Sequence, residues 1–256
     1  MNVFNGKKII ITGASRGLGA VCARAFADRG AKLVLLARSK ELLYEVVSSC
    51  AQPGNHCAIA VDLLDMESIP AAVDEALCFS KGVDVVIHVA GGGLGLRESL
   101  ISGVDLLKLF TVNVAAAAEI NRLLVPLMQK QGHGNLVHVG SITGGEAVGS
   151  VGYNTVKTGL AAYVRSLGNE LAKDSIIATG IQPGGFRAPG NSWERLEATK
   201  PEVVEQFIAQ RLPRGRLAQA EELIPLLVFL CSDAATMMGG CMVPIDAGEG
   251  KAYINC

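Results

Sequence analysis

The amino-acid sequence predicts an α/β fold, a doubly wound parallel sheet with helices on both faces, built as a single domain over residues 1–256. Three observations lead there. Short apolar runs rich in β-branched residues alternate with helix-length apolar-periodic stretches, the pattern of strands joined by crossover helices. Half of the 256 residues are hydrophobic and 18% are charged, which suits strands buried on both faces. Glycine is abundant, at 30 residues, and its first dense cluster directly follows the first apolar run.

Lys8–Thr12 is that first run and reads as a strand. Glycines follow, then a helical stretch over 18–28 that Gly30 stops, then a second apolar strand at Lys32–Ala37. This βαβ unit has the expected length of about 30 residues. Next come a strand at 57–61, a helix at 67–79, a strand at 84–89 and one long helix over 104–131. A strand at 135–139, a helix at 151–172, a strand at 176–181 and a last strand at 241–245 complete the pattern. Right-handed crossovers then determine most of the topology. No linker or low-complexity segment divides the chain. The longest stretch without strand character, 185–216, carries Pro189, Gly190, Pro201 and Pro213 and a helical piece at 201–210. Its place after the penultimate strand predicts a lid over a pocket.

Composition excludes several functions. The net charge is -1, from 23 basic and 24 acidic residues, and no basic run stands out, so nucleic-acid binding has no electrostatic footprint. The apolar run 223–231 contains Pro225 and falls short of the roughly 18 residues of a membrane span. The first eight residues lack an apolar leader core, and the expected location is cytoplasmic. The seven cysteines, Cys22, Cys50, Cys57, Cys78, Cys231, Cys241 and Cys256, form no CxxC pair and read as reduced, packed thiols rather than metal ligands.

The turn after the first strand reads Thr12-Gly13-Ala14-Ser15-Arg16-Gly17-Leu18-Gly19. Glycine permits a tight turn and the close approach of a pyrophosphate, and the following helix offers unpaired N–H groups and a partial positive charge. The context, after a strand and before a helix, is what this dinucleotide-binding mechanism requires. An acid at the end of the second strand would bind the ribose 2′-OH of NAD and repel a 2′-phosphate. That strand instead ends Ala37-Arg38-Ser39, and Arg16 supplies a second cation in the glycine turn. Two cations without the acid favour NADP(H).

Tyr153 and Lys157 stand four apart in the helix at 151–172, one turn apart on one face. A neighbouring ammonium favours the phenolate, so Lys157 is expected to lower the pKa of Tyr153 and fit it for proton exchange with a carbonyl or alcohol oxygen. Ser141 closes a strand, where side chains face the ligand crevice of an open α/β sheet, and its hydroxyl can hold the same oxygen.

On these residues the chain resembles the short-chain dehydrogenase/reductase family in its single-domain form, from Lys8 to Gly248. Thr12–Gly19 follows that family's T-G-x-x-x-G-x-G; Asp62, with Leu63 beside it, matches the acid that approaches the adenine; Ala90-Gly91 matches the end of N-N-A-G. Asn113, Ser141, Tyr153 and Lys157 match the catalytic set, and Pro183-Gly184 the P-G placed beside the nicotinamide. The resemblance implies that Tyr153 is the general acid of reduction and that Lys157 lowers its pKa and binds the nicotinamide ribose. It further implies that Ser141 orients the carbonyl and that Asn113 holds a water of the proton relay. A competing reading has Asn113 bonding helix backbone.

Three departures stand out. His88 replaces the first asparagine of N-N-A-G and reads as a buried structural histidine. Ala188 replaces a threonine that grips the nicotinamide carboxamide, leaving backbone near Phe186 to carry more of that grip. The run Gly91-Gly92-Gly93-Leu94-Gly95 is richer in glycine than usual.

The substrate is less legible. Residues 93–96, 143–146, Gly185, Phe186 and Trp193 are pocket candidates; Glu146 is either an amine receptor or a solvated acid, and Trp193 either a cover or a packing anchor. The overall match is nearest to 3-oxoacyl-carrier-protein reductases, which implies an acyl carrier protein as partner, with Arg122, Lys130 and Arg165 as docking cations. A reductase of a sugar, steroid or secondary metabolite is the alternative, and a non-catalytic NADP-binding regulator or scaffold the alternative of another class. Small residues along the two long helices, Ala115 to Ala118, Gly159, Ala161 and Ala162, predict a homotetramer or homodimer.

Overall fold

The computed structural model describes residues 3–252, so Cys256 lies outside the described residues. Its first half runs β1 Lys8–Thr12, α1 Gly17–Ala27, β2 Lys32–Ala37, α2 Lys40–Ser49, β3 Cys57–Ala60, α3 Ile69–Ser80 and β4 Val85–His88. Then come α4 Gly103–Phe110, α5 Ala116–Gln131, β5 Gly134–Val139, α6 Val151–Leu171 and β6 Ile176–Pro183. The remainder holds β7 Phe186–Arg187, α7 Ser192–Thr199, α8 Pro201–Arg211, β8 Ala218–Gln219, α9 Ile224–Leu230 and β9 Met242–Ile245.

Seven strands form one parallel sheet in the order β3-β2-β1-β4-β5-β6-β9. The direction of winding reverses between β1 and β4, which opens a crevice at the carboxyl ends of those strands. Strand residues alternate between two cores, as a period of two dictates. Ile9, Ile11, Leu33, Leu35 and Ile87 pack with α1 and α9; Ile10, Val34, Leu36, Val86 and Leu136 pack with α3 and α5.

Several elements differ from the sequence reading. The predicted helix over 104–131 is interrupted by a π-helical turn, Thr111–Ala115, between α4 and α5. The break has a local cause: buried Asn113 donates from Nδ2 to the Leu109 carbonyl at 2.9 Å while also reaching the loop after β4. Helix α2 was not anticipated, although Ser39 caps it by accepting from the Leu42 N–H at 3.3 Å. The apolar run 223–231 contains α9, and Pro225 sits in its first turn, where no N–H is needed.

Residues 185–216 carry α7 and α8 over a small core of their own. Trp193 and Phe207 rings lie 4.3 Å apart, above buried Val204, Leu212 and Leu217. Trp193 is therefore a packing anchor. The parallel pair β7–β8 ties both ends of this segment together. Among the described residues, no helix is long and apolar enough to cross a membrane, and six cysteines are free thiols.

Candidate active site

The glycine turn sits at the carboxyl end of β1. Arg16 is the extended N-cap of α1; its side chain makes no cap bond, and no acid lies in the first turn. The helix end therefore keeps its positive field for an outside anion. Gly17 takes φ +59°, and a Cβ there would meet no atom within 4 Å. That combination of vacant space and unneutralised helix terminus fits a pyrophosphate. Gly13, Ser15, Leu18 and Gly19 complete the turn, and Pro189 accepts the Gly17 N–H at 2.8 Å, so the 185–216 segment rests on it. Arg16 runs alongside Gly190, and Arg38 is exposed just past β2. Asp62 is exposed after β3, with buried Leu63 behind it. The Thr12 hydroxyl accepts the Val89 and Ala90 N–H groups at 3.1 and 3.2 Å, pinning the loop after β4 to the turn.

Four elements bring the predicted catalytic residues together. Asn113 reaches from the π-helical turn to the loop after β4: Oδ1 accepts the Gly92 N–H at 2.9 Å and Nδ2 donates to the Gly92 carbonyl at 3.0 Å. Its side chain thus bonds loop backbone here and, through the Leu109 carbonyl, helix backbone as the competing reading held. Lys157 is buried on α6, and its Nζ donates to the Val139 carbonyl at 2.9 Å, at the end of β5. A Cβ on Gly91 would stand 2.6 Å from Asn113 Oδ1 and 3.4 Å from Lys157 Nζ, so Gly91 fills the gap between them. Tyr153, one turn before Lys157, has its ring centroid 5.7 Å from Nζ. Ser141 opens a short 3₁₀ turn, Ile142–Gly144, where its Oγ accepts the Thr143 N–H at 3.2 Å.

The electrostatics correct one expectation. Lys157 was expected to lower the pKa of Tyr153. Burial instead raises Tyr153, opposed by a hydrogen bond with the Ser141 side chain, and burial pushes Lys157 down to about 8. Desolvation penalises the charged form of each, and the ammonium is aimed at a carbonyl rather than at the phenol.

Pro183 ends β6 and Gly184 follows it, with Phe186 two residues on and Ala188 buried. Glu146 accepts the Lys251 and Ala252 N–H groups with one oxygen, which makes it a clasp for residues 251–252. A cavity of about 400 Å³ opens between the base of the 185–216 segment and β9, but Ser141, Tyr153 and Lys157 do not line it.

A buried network beside this site was only partly foreseen. His88 pairs in register with His138, and their rings stack at 4.7 Å. Asn121 Oδ1 lies 2.8 Å from His88 Nε2; Asn121 Nδ2 donates to Tyr163 Oη at 3.0 Å and faces His138 Nε2 at 3.2 Å. His138 Nδ1 lies 3.0 Å from the Thr179 carbonyl. These contacts put a proton on His88 Nε2 and on His138 Nδ1 and leave His138 Nε2 as an acceptor, so His138 is neutral; burial lowers the pKa of His88. The sequence singles out His88 by its motif position, whereas His138 becomes visible only through strand register. A cavity of about 10 Å³, lined by Thr12, His88, Asn113 and Val139 among others, has room for about one water between the network and the site.

Comparisons with known proteins agree with the fold. The family described as enoyl-(acyl carrier protein) reductase matches residues 13–249. The 3-oxoacyl-(acyl-carrier-protein) reductase FabG of Aquifex aeolicus is 29% identical, covering 96% of this chain and 98% of the relative. The 7alpha-hydroxysteroid dehydrogenase of Escherichia coli K12 is 27% identical, covering 96% and 94%. The structure of L-sorbose reductase from Gluconobacter frateurii, complexed with NADPH and L-sorbose, superposes with a TM-score of 0.90 at 29% identity, covering 99% of this chain and all (100%) of that one.

Proposed function

Because the chain belongs to the short-chain dehydrogenase/reductase family of oxidoreductases, we propose that it is an NADP(H)-dependent enzyme interconverting a carbonyl and a secondary alcohol. The observation that carries the reading is the meeting of Asn113, Ser141, Tyr153 and Lys157 at the carboxyl ends of β4 and β5.

The nicotinamide, when bound, supplies or accepts the hydride. The α1 terminus and residues 13–19 hold the pyrophosphate, Arg38 and Arg16 the 2′-phosphate, and Asp62 with Leu63 the adenine side. Ala90, Gly91, Pro183, Gly184 and Phe186 border the nicotinamide end, and the 185–216 segment is the lid. Ser141 donates a hydrogen bond to the substrate oxygen. Tyr153 gives that oxygen its proton during reduction; burial keeps the phenol protonated and ready as an acid. Lys157, one turn away with its Nζ on the Val139 carbonyl, would bind the nicotinamide ribose. Asn113 keeps the Gly91–Gly92 loop in place beside Lys157.

The chain is read as a cytoplasmic enzyme on a small-molecule substrate, with no nucleic-acid or membrane partner. A 3-oxoacyl thioester on an acyl carrier protein is the second reading, favoured by the Aquifex relative. Arg122 is a weak docking cation, because Glu119 already pairs with it at 2.6 Å. A purely binding role leaves the assembled Ser141/Tyr153/Lys157 group without purpose. Cofactor oxidation should be followed with NADPH and NADH across 3-oxoacyl thioesters, ketoses and oxosteroids. Turnover with NADPH on one class supports the reading; cofactor binding without turnover on any carbonyl sinks it.

A further inference from the structure

Glu249 is a buried carboxylate that the catalytic scheme above does not use. It is 4% exposed, in the segment after β9. Its Oε2 accepts the Gly185 N–H at 2.6 Å, and its Oε1 lies 3.9 Å from the Arg211 guanidinium at the end of α8. Burial raises its pKa, with Asp246 and Glu146 adding to the rise; the Gly185 N–H and Arg211 work against it. A carboxylate removed from water with one amide bond and one long ion pair is poorly compensated. A fold that keeps such a group gives up stability there, and a role in function is the usual reason.

The surroundings show what the group joins. Gly184 lies so close that a Cβ on it would stand 2.5 Å from Glu249 Oε2. Gly185 is held on both sides, its N–H by Glu249 and its carbonyl by the Ala218 N–H at 3.1 Å. Arg211 Nε is itself buried without a hydrogen-bond partner among the described residues, which leaves Glu249 as its nearby anion. The backbone on either side of Glu249 is held in place. Asp246 accepts the Gly248 and Gly250 N–H groups at 3.0 and 2.9 Å on either side of it, and Glu146 clasps residues 251–252.

We propose that Glu249 is a positioning residue that fastens the Gly184–Gly185 turn to lid helix α8 and thereby shapes the nicotinamide end of the cofactor pocket. The inference rests on the cofactor reading above. Ala188 cannot supply a side-chain hydroxyl to that end of the pocket, so placement of the turn backbone matters more there. Glu249 touches neither the glycine turn nor Arg38, so the adenine end is independent of it.

The test compares two ligands, NADPH and 2′-phospho-ADP-ribose, the fragment that lacks nicotinamide. Calorimetry would be run on the unmodified protein, Glu249→Ala, Glu249→Gln and Arg211→Met, each first checked for a cooperative melt. Glu249→Ala should weaken NADPH roughly ten-fold, the scale of one charge-assisted hydrogen bond, and leave the fragment unchanged. Glu249→Gln keeps an acceptor for Gly185 and loses only the charge facing Arg211. It should therefore fall between, and combining it with Arg211→Met should add nothing to Arg211→Met alone. Equal loss of both ligands, or loss of neither, in the Gln and Ala variants overturns the positioning role. If the unmodified protein binds neither ligand, the cofactor reading fails and this inference fails with it.

Discussion

Tyr153 and Lys157 show at the residue scale how burial readies one group and strains the other. The half-buried Tyr153 phenol keeps its proton at neutral pH because its ordinary pKa, near 10, is raised further by desolvation. Tyr153→Phe should lower turnover by about 10²- to 10⁴-fold, the usual range for losing a general acid, while NADPH binding holds. Turnover near that of the unmodified protein would remove Tyr153 from the chemistry. Lys157, pushed down to about 8 from 10.5, binds fewer protons folded than unfolded between those values. Its penalty is full below about pH 8 and is relieved as pH rises toward its unfolded pKa. Lys157→Met should therefore abolish activity yet raise stability of the cofactor-free protein at neutral pH by about 1–3 kcal/mol, less the lost bond to Val139. A destabilised variant in chemical denaturation would mean that the ammonium is a structural anchor. At the cofactor's other end, Arg38→Asp should turn preference from NADPH to NADH by about 10²-fold or more, through loss of a charge-assisted bond and added repulsion. Equal use of both cofactors by the unmodified protein would refute the premise.

Among elements, the stacked histidines of β4 and β5 predict an acid limb in stability. Burial lowers His88 to about 4, and it lowers His138 as well, helped by His88 and Lys157. Each is neutral in the fold, while an unfolded histidine takes up a proton near pH 6.5. Stability is thus whole above that value and falls as pH drops toward 4, by up to about 1.4 kcal/mol per pH unit for each histidine. His88→Asn should flatten that slope between about pH 7 and pH 5 in urea unfolding; an unchanged slope would assign it to other groups. What could be read from the sequence follows the range of the interactions. The glycine turn and the Tyr153/Lys157 pair are local, within one turn or one helical repeat, so their spacing is visible directly. The seven sheet strands are visible because buried parallel strands are mostly apolar. Helices α2 and α9 have ten and seven residues, too short for periodicity alone to separate them from loop or strand. The π-helical turn could not be read, because the Asn113 side chain that bonds Leu109 within the helix is held there by Gly92, 21 residues away. The same holds for His138, defined by register, and for Glu249, whose partner Gly185 lies 64 residues back.

For the whole molecule, the surface beside the site predicts assembly. Part of the small-residue argument does not survive: Ala116, Ala117 and Ala161 are buried against the chain's own core. What remains is apolar and exposed. Val104, Leu107 and Phe110 follow one another at a spacing of three along the outer face of α4, with 65%, 67% and 44% of their surface open. Val151 at the start of α6 is also exposed, as is Ala162 further along it, and half-buried Gly159 lies next to the Phe110 ring. A stripe of large apolar side chains open to water over successive turns marks an interaction surface. Because the face belongs to one chain, closing it by twofold symmetry places α4 and α6 against their own copies. The proposed cofactor site is at the carboxyl end of the sheet, so assembly through this face would leave it open. This one face closes a homodimer, and the homotetramer expected from the sequence uses a second twofold face as well. Light scattering at micromolar concentration should give about four times the 26.7 kDa chain mass. Replacing Leu107 and Phe110 by glutamate should reduce that mass without unfolding the chain, since both side chains already stand in water in the single chain. A fully active monomer from the unmodified sequence would show that this face is not an interface.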